Sequence, residues 1–192
     1  MYSQAVVLFL CAFNVMSATA DDTCPPIVSR KEWGAVPAKS VQPLSKNPPP
    51  YVVVHHSASQ ICTDEESCKR YVRSVQHFHM DIRGWEDIGY NFLIGGDGKV
   101  YEGRGWGIHG AHDKRHNSVS LGVSLIGNFQ ETEPLLIQLE TLKNLLECGV
   151  NTNRIQKEYR MIGHRQSTPT LCPGEHLFDI IETYPHFYDG PN

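Results

Sequence analysis

The chain has 192 residues, with 17 Lys and Arg against 21 Asp and Glu, a net charge of -4 at neutral pH. No basic stripe runs through it, which excludes nucleic-acid binding of the usual electrostatic kind. The length suits one hydrophobic core, and no repeat, low-complexity linker or Asn-x-Ser/Thr glycosylation site occurs.

The opening stretch, "MYSQAVVLFLCAFNVMSATA", carries no charged side chain. Its apolar run over residues 5–13 leads to Ala18-Thr19-Ala20, the small-x-small pattern of a cleavage site. That run is shorter than the roughly 20 apolar residues a spanning helix needs. We expect residues 1–20 to be a signal peptide and 21–192 a secreted, extracellular domain without a membrane anchor.

Further along, "NPPPY" is a stiff lead-in to "YVVVHHSAS", a β-branched run that predicts a buried strand from Tyr51 to about His55. Thr63 and Glu66 have capping-box spacing, and Val72, Val75, Phe78 and His79 recur at helical spacing, so a helix should run to about Met80. "YNFLIGGDGKVYEGRGW" holds two strand-like runs around a turn, a hairpin signal. "SVSLGVSLIGN" predicts another strand, and leucines over 134–150 predict a helix with Gly149 as its cap. "YRMIGH" is a short strand, and a last helix carries Leu177, Ile180 and Ile181. Strands and helices so mixed predict an α/β domain with a central mixed sheet covered on both faces.

Six cysteines are present, and loss of Cys11 with the leader leaves five, so a secreted form keeps at least one unpaired or gives it to a metal. Cys62 and Cys68 in "CTDEESC" are close enough to close a small loop. Two of Cys24, Cys148 and Cys172 can pair. Only Cys172 has a histidine close by in the chain, which favours it as the odd one.

His55 ends the first buried strand, while His164 and Cys172 follow the last, and strand ends can bring distant residues together. Two imidazoles and a thiolate suit Zn²⁺, and three protein ligands leave a fourth position for water, as in catalytic sites. Such a donor set leaves the ion about +1, enough to lower the pKa of a bound water towards about 7. Histidines also serve as satisfied core residues. His56 points away from His55 if the strand continues. His109 and His112 in "GIHGAH" are alternative ligands. A thiol-hydrolase dyad of Cys172 and His164 is a third arrangement, but no nucleophile-bearing helix start precedes Cys172.

"YVVVHHSAS", "QHFHMDIRGWEDIGYNFLIGGDGKVYEGRGW", "GAH", "LGVSLIGNF", "GHRQSTPTLCPG" and "YPHF" together resemble the animal peptidoglycan recognition proteins. These are relatives of phage and bacterial zinc N-acetylmuramoyl-L-alanine amidases. The resemblance extends from about Cys24 to Phe187, in the family's order. It implies an amidase-type peptidoglycan recognition fold, Zn²⁺ held by His55, His164 and Cys172, and disulfides Cys62–Cys68 and Cys24–Cys148. Members that only bind the wall typically carry serine at the position of Cys172, and a hydroxyl is a poor zinc ligand.

The resemblance further implies cleavage of the amide between N-acetylmuramic acid and L-alanine in bacterial peptidoglycan and muropeptides, an activity of innate immunity. Tyr90 would then donate to the developing oxyanion. Thr170 stands where bacterial relatives use lysine, a stronger electrostatic partner. Gly84, Trp85 and Arg104 match a set favouring meso-diaminopimelate over lysine stems, since a guanidinium can clamp the extra carboxylate. His56 and His112 would line the same groove. The alternative is a non-catalytic recognition module that signals or blocks growth.

Overall fold

Strand β2 (Tyr51–His56) runs through the middle of the molecule, parallel to β5 (Ser120–Leu125) on one side and β6 (Arg160–Gly163) on the other. The computed structural model describes residues 24–190, so the expected leader and cleavage point lie outside the described residues. Within them the sheet has six strands in the order β1-β4-β3-β5-β2-β6. Here β1 is Ile27–Val28, β3 is Phe92–Ile94 and β4 is Val100–Glu102. Only the β3–β4 hairpin is antiparallel, closing at the "GGDG" turn. The sheet is therefore mixed, as the alternation of strand and helix signals predicts.

Successive strand residues face opposite ways, and two cores follow. Val52, Val54, Phe92, Ile94 and Val123 pack with Leu142, Leu145 and Leu146 of α3 (Leu136–Asn151) and Leu177 and Ile181 of α5 (Glu175–Ile181). On the other face Leu93 and Tyr101 pack with Trp33 of α1 (Arg30–Trp33) and Cys68 and Val72 of α2 (Glu65–His77). Cys24 is bonded to Cys148 of α3, and Cys62 to Cys68 of α2. Cys172 is the free cysteine among the described residues.

Three boundaries differ from the sequence expectation. Asp64 caps α2 with its carboxylate on the Ser67 N–H, one residue beyond the Thr63/Glu66 pair, because a carboxylate caps at least as well as a threonine hydroxyl. Gly149 does not end α3. It lies within the last turns, where a Cβ would strike Ile155, so close packing is its reason. Helix α2 ends at His77 and continues as a π-helical turn, Phe78–Ile82, with the Arg83 N–H on the Phe78 carbonyl. Such widened turns collect at functional sites, and this one buries His79 towards the groove described next.

Candidate metal centre and substrate groove

The strand β2 backbone fixes His55 at the sheet's carboxyl edge, level with Ser124 of β5 and 1% exposed. Neighbouring β6 ends at Gly163, and His164 opens the single-turn helix α4 (His164–Ser167). The loop after α4 turns back so that the Arg165 N–H donates to the Cys172 carbonyl, 2.8 Å away. In this way three segments distant in sequence meet. One ligand atom from each of His55, His164 and Cys172 lies within 4.8 Å of the others.

Two imidazole nitrogens and a sulfur are a donor set that suits zinc. Bonds of about 2.0–2.3 Å in a tetrahedron imply ligand-to-ligand separations of roughly 3.3–3.8 Å. The Cys172 Sγ lies 3.5 Å from His55 Nδ1, and the His55 and His164 ring centroids are 4.5 Å apart. Burial holds both imidazoles below their ordinary value, so at neutral pH they offer lone pairs rather than protons. Burial also pushes the Cys172 thiol up to about 12. A thiol like that is inert unless a cation replaces its proton, which suits a ligand and argues against a free nucleophile.

His112 is set behind His55, with its Nδ1 3.1 Å from His55 Nε2. With Nδ1 of His55 turned to the cysteine, the proton belongs on Nε2 and is donated to His112. A Cβ at Gly122 would collide with the His112 ring, so glycine is required in β5 there. His112 thus lines the groove and also contacts the ring of His55, a candidate ligand, from behind.

Above the trio opens a groove of about 610 Å³, whose walls include His56, Tyr90, Trp85 and Thr170. The Tyr90 ring centroid lies 5.3 Å from that of His55, and burial raises its phenol well above the usual tyrosine range, keeping it a proton donor. The His56 Nδ1 accepts the Phe129 N–H at 3.3 Å, and burial lowers its pKa to about 4. Thr170 is exposed at the rim, its hydroxyl oxygen accepting the Cys172 N–H at 3.3 Å.

Gly84 and Arg104 are not in this groove. They line an adjoining depression, which shares Trp85 and Ala111 with it. Arg104 donates from Nε to the Ile88 carbonyl and from Nη1 to the His109 carbonyl, both at 2.7 Å. Its guanidinium is thereby aimed by the backbone, with Nη2 making no protein bond among the described residues.

Residues 45–175 match the family model described as N-acetylmuramoyl-L-alanine amidase. The chain belongs to that amidase family. It is 45% identical over 168 residues to peptidoglycan-recognition protein 2 of Holotrichia diomphalia, covering 88% of this chain and 89% of the relative. It is 42% identical over 167 residues to the human N-acetylmuramoyl-L-alanine amidase, covering 85% of this chain and 29% of that longer protein. Among solved structures, peptidoglycan recognition protein-LE in complex with tracheal cytotoxin superposes with a TM-score of 0.83. That chain is 42% identical, with 85% of this chain and 96% of the other covered.

Two features of this amidase-family site escape the sequence. His79 stacks on Trp85 with centroids 4.6 Å apart and accepts the Gly89 N–H on Nδ1 at 3.0 Å, bracing the indole wall. Its helical spacing with Val72 and Val75 presents it as a core position. Asp113, immediately after His112, is buried beside Ser167 and His116. Only the "HDKRH" spacing hints at it.

Proposed function

We propose that the protein is a secreted zinc amidase that binds bacterial peptidoglycan and hydrolyses the amide between N-acetylmuramic acid and the L-alanine of the stem peptide. The observation carrying this reading is the convergence of His55, His164 and a Cys172 left out of both disulfides. Bound Zn²⁺ would supply a Lewis acid for the scissile carbonyl and lower the pKa of a water at its open position. The protein's own part is positioning. His112 fixes the His55 tautomer, and the Tyr90 phenol, kept protonated, donates to the oxyanion as it develops. The Thr170 O–H stays free to assist from the rim, more weakly than a cation would.

The Trp85–Arg104 depression adjoining the groove suits a stem peptide with a carboxylate at its third residue, as in diaminopimelate. The relative solved with tracheal cytotoxin, described as monomeric diaminopimelic acid-type peptidoglycan, supports that substrate class. A second reading, recognition without hydrolysis, is favoured by relatives named for recognition alone. Muropeptide cleavage by the purified secreted form, before and after chelation and with Zn²⁺ restored, separates the two. Cleavage that disappears with the chelator and returns with zinc is expected. Binding without cleavage at every zinc level would select the recognition module, and cleavage indifferent to chelator but abolished by alkylation would select a thiol hydrolase.

A further inference from the structure

Helix α4 is only one turn long, and a helix that short has no stability of its own. Yet it carries His164, and its Arg165 N–H holds the carbonyl of Cys172. Something outside it must fix its rotation about its axis. Ser167 is three residues beyond His164, hence on the same side of the turn. Its hydroxyl donates to Asp113 Oδ1 at 2.8 Å.

Asp113 is well equipped as an anchor. It is 2% exposed, and its other oxygen accepts from His116 Nδ1 at 2.8 Å. The Arg115 N–H adds a third donor at 3.0 Å, so the buried carboxylate is met from several sides and has one defined orientation. The residue before it is His112, whose ring supports His55. Two consecutive residues thus bond directly to two of the three ligand-bearing segments. His112 reaches β2, and Asp113 reaches α4 and, through Arg165, the Cys172 loop.

We propose that Asp113, acting through Ser167, is a positioning residue that holds His164 and Cys172 in register with His55. This rests on the zinc reading above, and it concerns geometry at atoms Asp113 never touches. Gln166 also ties α4 to the Gly163 N–H and the Tyr188 carbonyl. Without the Asp113–Ser167 bond α4 therefore stays attached but loses its side-chain tie on the His164 side of the turn, and the ligand set loosens while the sheet and both cores remain.

The test compares the wild type with Ser167→Ala, Ser167→Thr and Asp113→Asn, each stripped of metal and titrated with Zn²⁺ and with Co²⁺. Ser167→Ala removes one hydroxyl and should keep the fold, checked by circular dichroism, even if Asp113→Asn does not. It is expected to weaken Zn²⁺ binding by about 10–100-fold, the usual cost of losing a partner that orients a metal ligand. Its Co²⁺ visible spectrum should shift, kcat should fall with KM unchanged, and Ser167→Thr should restore all three. Wild-type zinc affinity and an unshifted Co²⁺ spectrum in Ser167→Ala would overturn the assignment of Asp113 alone. A wild-type protein that takes up no zinc would overturn the metal reading and this inference with it.

Discussion

His112 Nδ1 lies 3.1 Å from His55 Nε2, so a ring that the sequence offers as an alternative ligand sits where it can accept the proton of His55 in the proposed zinc site. Replacing His112 with Phe keeps most of the ring volume against Gly122 but leaves the buried His55 Nε2–H without an acceptor. Zinc affinity should fall by about 10–100-fold. Calorimetric titration of the metal-free variant measures it, and an unchanged affinity would remove His112 from the supporting role.

Tyr90→Phe removes one oxygen and nothing else from a side chain packed beside His55 and His79. If the phenol donates to the oxyanion, kcat should drop by about 10²–10³. Zinc content and muropeptide affinity should stay near wild type. A variant with full kcat would leave Tyr90 as wall material.

Arg104→Ala should weaken diaminopimelate-type muropeptides by about tenfold or more, the scale of one charged hydrogen-bonded contact, with little change for lysine-type ligands. The control matters because Arg104 also ties the Ile88 and His109 carbonyls together. Equal losses on both ligand types, read by titration, would mean that the arginine only braces the loops.

Zinc uptake should depend on pH with a definite sign. The Cys172 thiol is pushed up to about 12 by burial, while burial holds His55 and His164 below the ordinary imidazole value of 6.5. Between about pH 6.5 and 8.5 the imidazoles are already neutral, and only the thiol gives up a proton to the metal. Affinity should therefore rise about tenfold per pH unit and fall equally as pH drops. A flat profile of Kd against pH across this window would show that no proton leaves on binding and exclude the thiol as a ligand.

Much of this was present in the linear chain. β-Branched runs predict β2 and β5, the GGDG turn predicts the β3–β4 hairpin, and leucine spacing predicts α3, because side-chain period and turn chemistry are local properties. Cysteine parity singles out an odd thiol once the leader is set aside, and the motifs around His55 and Cys172 carry the family resemblance.

What the chain could not declare is which atoms face each other after folding. His112 and His79 look like a ligand and a core residue in sequence, yet one contacts the His55 ring nitrogen and the other stacks on Trp85. Asp113 and Ser167 are separated by 54 positions, and nothing local distinguishes either. Local patterns set which elements form, whereas the approach of β2, α4 and the 112–113 turn depends on how those elements pack. Hydrogen bonds are sensitive to tenths of an ångström, so only tertiary structure could decide them.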